Sequence, residues 1–233
     1  MKKIVIYLLF ITYTNIYCQN LSVKVVYNQA IKDSRITKSD SIKIFKDLEY
    51  QLLCNTNESE FRIIEKMNSD ASKSNRRFAA RIGATSLQYR SLIDKEKIRF
   101  FNFLGDNYIV KLPFNEYNWK LTKESKKIGK YTCYKGVTFT TINTAKSKTK
   151  TITYKVIAWY TPDIPLSFGP NGFDGLPGLI LEVNWRNNYL IAKDINIKKL
   201  DDSKIERPNK GIEMSSKEFE TYVRETFLNK QKD

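Results

Sequence analysis

The chain has 233 residues, 41% hydrophobic and 13% aromatic, a balance that suits a globular core and excludes a disordered chain. It carries 40 Lys and Arg against 25 Asp and Glu, for a formal net charge of +15, and has no histidine. Without histidine, Ser-His-Asp and Cys-His catalysis are excluded in their usual forms and the commonest transition-metal ligand is missing, which leaves carboxylate, Lys or Tyr chemistry.

Met1–Gln19 has the layout of a signal peptide. Lys2 and Lys3 form its basic start, and Ile4–Tyr13 is an apolar run too short to span a bilayer. Cleavage after Cys18 would leave residues 19–233 as a single exported domain. A rival reading acylates Cys18 as a lipoprotein, although Tyr17 stands where such a signal wants a small residue. No second apolar run approaches membrane length. Export leaves Cys54 and Cys133 as an even pair in an oxidising compartment, so a disulfide between them is expected, worth about 4.5 kcal/mol of loop entropy. The alternative is two buried free thiols.

Leu21–Tyr27 alternates weakly and predicts the first strand. Lys32–Ser41 is polar loop. Asp47–Cys54 and Glu60–Ile64 read as a hairpin turning through Asn55–Ser59, with a helix across Ser41–Leu53 as the alternative for the first arm. The stretch at about 67–91 has Lys73, Arg76, Arg77, Arg81 and Arg90 with Asp70 as its one acid. It reads as a solvated basic insertion, or as a surface attracting acidic lipid head groups or an acidic partner. Lys97–Phe103 and Tyr108–Leu112 predict a second hairpin, Trp119–Leu121 starts a strand, and Lys123–Lys130 reads as a charged turn. Cys133–Ile142 and Thr151–Tyr160 pair across a basic tip at Asn143–Lys150. Leu179–Trp185 and Tyr189–Ile197 follow, turning at Asn187-Asn188. Asp201–Gly211 is polar linker, and 215–229 is a helix whose Ser215 and Glu218 make a capping box.

The run Trp159–Val183, WYTPDIPLSFGPNGFDGLPGLILEV, holds four of the six prolines and four of the nine glycines. It can be neither regular helix nor sheet, so it must be a shaped loop tying two buried strands together. Gly175-Leu176-Pro177-Gly178-Leu179-Ile180 resembles the hexapeptide of the GLPGLI family, exported proteins of Bacteroidota without an assigned role. Trp159–Pro165, Gly169-Pro170, Tyr131–Gly136 and Glu58–Phe61 resemble further elements of that family's pattern. Gly136 departs from it, standing where alanine is expected.

Two readings of the loop compete. In the structural one, Asp163 and Asp174 accept backbone N–H bonds in their turns while Leu176, Leu179 and Ile180 plug the core. In the functional one, Asp163, Phe168, Phe173, Asp174 and Leu176 rim a concave apolar cavity and meet a ligand. Catalysis would need paired carboxylates among Asp163, Asp174 and Glu182. Cys133 beside Lys135 is a weaker candidate, as a thiol activated by a cation.

The sequence therefore predicts a mostly antiparallel β protein, strongly curved or barrel-like (in the manner of a half-open barrel), with the C-terminal helix packed on the sheet. The expected role is a non-catalytic binding or accessory protein of the cell envelope. Its expected partner is an outer-membrane protein, peptide or lipid, with anionic surfaces rather than nucleic acid attracting its basic charge. No cofactor or metal is expected. The alternatives are a carboxylate-dependent hydrolase and a purely structural envelope component.

Overall fold

A computed structural model describes residues 21–31, 43–64, 86–143, 151–186, 188–199 and 205–229. The expected signal peptide, the loop Lys32–Ser41, the basic stretch through residue 85 and the tip 144–150 lie outside the described residues. Twelve strands form one sheet: β1 (Leu21–Ile31), β2 (Lys43–Cys54), β3 (Glu58–Ile63), β4 (Leu87–Ser91), β5 (Glu96–Phe103), β6 (Asp106–Lys111), β7 (Lys120–Ile128), β8 (Tyr131–Asn143), β9 (Thr151–Thr161), β10 (Leu179–Trp185), β11 (Asn188–Lys199) and β12 (Ile212–Ser215). Helix α1 (Ser216–Asn229) ends the fold. The order across the sheet is β12-β6-β5-β4-β3-β2-β1-β11-β10-β9-β8-β7, so the sheet is open, with β7 and β12 at its ends.

Local chemistry explains the central strands. In β1, Val23, Val25 and Tyr27 are fully buried at period two, with exposed Lys24 between them. In β2, Leu48, Tyr50, Leu52 and Cys54 repeat the pattern and join the same core, which settles this segment as strand rather than helix. The Tyr50 and Phe61 rings stack at 5.3 Å. Asn55 closes the β2–β3 turn, its Oδ1 accepting the N–H groups of Asn57 and Glu58 at 2.8 Å each.

Three segments depart from the sequence reading. Leu87–Ser91 is not the end of a solvated insertion but a strand between β3 and β5, with Gln88, Tyr89, Arg90 and Ser91 all buried. Lys123–Ile128 is not a turn. It continues β7, an edge strand, where exposed lysines blunt pairing with other chains. Ile212–Ser215 is a short strand parallel to β6, in a fold otherwise antiparallel. Its approach is pinned by Arg207, whose Nε and Nη2 donate to the Glu96 carboxylate at 2.7 and 2.8 Å.

Helix α1 starts as the capping box requires. Ser215 N–H donates to Glu218 Oε2 at 2.7 Å, and Glu218 N–H donates to Ser215 Oγ at 3.2 Å. Its Phe219 ring packs on Phe101 at 5.0 Å, Tyr108 at 5.4 Å and Phe103 at 5.6 Å, which docks the helix on β5 and β6.

The proline- and glycine-rich loop between β9 and β10 is folded on itself and into the core. Its backbone bonds include Leu179 N–H to Ile164 O and Ile180 N–H to Phe168 O, both at 3.0 Å. The Tyr27 hydroxyl of β1, buried beneath it, donates to Ile180 O at 2.6 Å. Gly136, the departure from the resembled pattern, has a packing reason: a Cβ there would stand 2.8 Å from Leu176 Cδ2 and 3.3 Å from Trp119. The missing methyl makes the seat for Leu176.

Gly175 and Gly178 adopt φ of 85° and 149°, and a Cβ on Gly178 would also overlap the Thr161 carbonyl. Gly178→Val should therefore lower stability by about 3 kcal/mol or more, and Gly175→Val, which meets open space, by about 1–2 kcal/mol. Thermal melts of the two variants check the order; equal melting temperatures would contradict it.

Candidate functional site

The alternation of β4 and β5 sorts their side chains onto two faces. Tyr89, Ile98 and, from β6, Ile109 make a small apolar cluster on one. The other presents Gln88 and Arg90 from β4 beside their register partners Arg99 and Lys97 from β5. Two cations directly opposite one another repel unless an anion separates them. Asp174 of the loop supplies it, its Oδ1 pairing with Arg90 Nη1 and its Oδ2 lying 3.1 Å from Lys97 Nζ. Lys97 also reaches Glu116 Oε2 at 2.7 Å and lies over the Tyr117 ring at 4.5 Å. Arg90 covers the Phe114 ring at 4.3 Å. Trp119 Nε1 donates to the Asp174 carbonyl at 2.7 Å.

This cluster closes the floor of the loop rather than opening a cleft. The space it borders is a crevice of about 10 Å³, room for one water. Asp174 thus caps cations and not its own backbone. Asp163 is exposed, and its N–H donates to Thr161 Oγ1 at 3.3 Å in place of the expected carboxylate cap. Glu182 is held by Lys126 Nζ at 2.6 Å. The two buried or half-buried carboxylates are each neutralised by a different strand's cation.

Phe168, Phe173 and Leu176 are 1%, 4% and 1% exposed, so the expectation that they rim an open cavity is corrected: the loop turns them into the core. Phe173 alone of the three also borders a larger space. It packs against Tyr117 at 5.2 Å and Trp185 at 5.5 Å, and this row forms one wall of a groove of about 370 Å³. Phe101 and Phe219 also line it, and Arg99, Arg186, Asn171 and Thr140 contribute polar groups. Burial, then the neighbouring Glu116 carboxylate, pushes the Tyr117 phenol well above its usual range, so it stays a neutral hydroxyl.

The sequence reading missed Arg90, Lys97, Arg99, Glu116 and Tyr117. A usable signal was present: Gln88/Arg90 and Lys97/Arg99 both alternate at period two in neighbouring strands, which places a cation pair on one face and calls for an acid.

The expected disulfide is not formed. Cys54 and Cys133 are separate buried thiols, Cys54 Sγ contacting Val23 O at 3.7 Å and Cys133 Sγ contacting Tyr131 O at 3.9 Å. Burial raises Cys54 strongly and pushes Cys133 up to about 11, the Lys126 ammonium offsetting only part of it. Lys135 does not activate Cys133, because its ammonium pairs with Glu124 at 2.8 Å. Among the described residues no group of three or more His, Cys, Asp or Glu side chains gathers to hold a metal.

A family model described as "Protein of unknown function (Porph_ging)" matches residues 144–182, a segment that contains the proline- and glycine-rich loop. The match is compatible with the resemblance drawn from the loop's hexapeptide. No curated protein matches the chain. Two solved structures of PNGF-II, in C2 and P21 space groups, align over 87% of this chain at TM-score 0.57 with 15% and 16% identity. This chain spans about a third of their length, 32% and 33%, and the likeness is one of fold.

Asp174→Ala should cost about 3–5 kcal/mol, because it leaves Arg90 buried without its anion and Lys97 with Glu116 alone. Restoring the melting temperature with the further change Arg90→Met would show that the loss is electrostatic. Alkylation without reductant should label both cysteines in denaturant and neither in the folded protein at pH 8, where buried thiols stay protonated. A single unlabelled pair in denaturant would restore the disulfide.

Proposed function

We propose that this is an exported, non-catalytic binding or accessory protein of the bacterial cell envelope, and that the groove between β5, the loop and α1 is its binding surface. The groove itself carries the reading. Its volume lies in the range of small-molecule sites, and its lining mixes the aromatic rings of Phe101, Tyr117, Phe173, Trp185 and Phe219 with polar side chains. A concave sheet is part of the proposal. Phe101 of β5 and Thr140 of β8 border the same groove, although seven strands separate β5 from β8 in the sheet order. Flat, eight strand spacings would hold them roughly 38 Å apart. A sheet curled about the loop brings them together.

The carboxylate-hydrolase alternative finds less support. Asp174 is locked between Arg90 and Lys97 beside a crevice with room for one water, and Glu182 is taken by Lys126. The leader read at Met1–Gln19 and the resemblance of the loop supply the envelope location. None of the described helices is long and apolar enough to cross a membrane. The lipid, peptide or outer-membrane partner is that of the sequence reading.

Native mass spectrometry of the protein isolated from its own envelope tests the proposal. A non-covalent adduct that leaves on mild activation, and that is lost in Phe173→Ala or Trp185→Ala, is expected. A bare chain throughout would count against binding.

A further inference from the structure

Most buried or half-buried cations of this fold that flank the loop have an anion: Arg90 and Lys97 share Asp174, Lys97 adds Glu116, and Lys126 has Glu182. The two guanidiniums that border the groove differ. Arg99 is half-buried and has no acid in ion-pair contact, and its Nε, like that of Arg90, is enclosed without a hydrogen-bond partner among the described residues. Arg186 is exposed, its guanidinium laid over the Tyr154 ring at 4.1 Å. Its backbone is held at φ 51°, a left-handed conformation unfavourable for an arginine. Of the acids bordering the groove, Glu116 is bound to Lys97, and Glu220 is already engaged.

A buried guanidinium nitrogen left without an acceptor is costly, and native proteins keep such groups where a partner arrives later. An arginine fork suits a planar or tetrahedral anion better than any neutral acceptor. The rings of Tyr117, Phe173, Trp185, Phe101 and Phe219 line the same groove. Such walls suit a flat or chain-like apolar body.

We infer that the groove takes an amphiphilic anion, its carboxylate or phosphate head held by Arg99 and Arg186 and its apolar body against the aromatic rings that line the groove. The inference rests on the binding reading above and names the chemistry of that ligand.

Two fluorescent probes test it on the folded mature chain: anilinonaphthalene sulfonate, and phenylnaphthylamine, which has the same rings without the charge. The sulfonate should saturate one site per chain and bind about tenfold more weakly to Arg99→Gln and to Arg186→Gln, as loss of a charge-assisted bond implies. Lys120→Gln, on the exposed edge strand, should leave it unchanged, and phenylnaphthylamine should bind all four proteins alike. Circular dichroism melts verify folding, and exposed Arg186→Gln carries the test if Arg99→Gln does not fold. Displacement by decanoate or by decyl phosphate, with decanol inert, then tells a carboxylate head from a phosphate one. Sulfonate affinity equal in wild type and both arginine variants overturns the inference. Phenylnaphthylamine saturating the groove as tightly as the sulfonate overturns the anionic head and leaves the binding reading standing. Saturable binding of neither probe overturns both.

Discussion

The fold turns on one carboxylate. Asp174 lies under a loop of prolines and glycines and separates two cations, Arg90 and Lys97, that strand pairing sets face to face. Burying any of the three alone would cost several kcal/mol, so each is tolerable only with the others in place. Register, loop path and burial thereby become a single condition. If β4 slipped against β5 by one residue, Arg90 would leave the face that the loop covers while Lys97 stayed on it. If the loop failed to close, the cations would stay hydrated and the sheet face below it would stay wet.

That condition explains the work of the neighbouring residues. Trp119 holds the Asp174 carbonyl, so both the main chain and the side chain of this residue are fixed. Phe114 and Tyr117 lay rings against the Arg90 and Lys97 charges, keeping water from the ion cluster while tolerating cations at their faces. Gly136 gives room to Leu176, and Tyr27 satisfies the carbonyl of Ile180 from the opposite side. The loop is thus bound to strands in both halves of the sheet order, β4 and β5 in one and β1 and β8 in the other.

How much of this could be read from sequence depended on whether a signal is local. The loop announced itself, because proline and glycine forbid regular structure where they stand, and α1 did so through Ser215 and Glu218 within one turn. Alternation gave β1, β8 and β10, and β9 was legible as the returning partner of β8. What escaped reading was fixed by partners distant in the chain. β12 has only four residues and exposed Ile212, and exists because β6 offers it an edge. Lys126 looked like part of a charged turn until Glu182 and the Trp159 ring, 4.5 Å away, were placed beside it. Arg90 looked like the end of a solvated basic run, since nothing nearby in sequence says that Asp174 will meet it. The pairing of Cys54 with Cys133 was argued from compartment and count, whereas each strand in fact buries its own thiol in the core.

Charge then separates what the fold needs from what it leaves over. A chain with so many lysines can place most of them in water at little cost, and the edge strand β7 shows that solution. Inside, cations are accepted where an acid neutralises them, and the loop region follows this rule at Arg90, Lys97 and Lys126. Reactive side chains are disarmed by the same means: Glu182 by an ammonium, Lys135 by Glu124, and Cys133 by burial. Chemistry needs a group whose charge or proton is unsettled within reach of a substrate, and the loop cluster holds none in that state. Arg99 and Arg186 remain, cations lining the groove with no acid among the described residues in ion-pair contact with them.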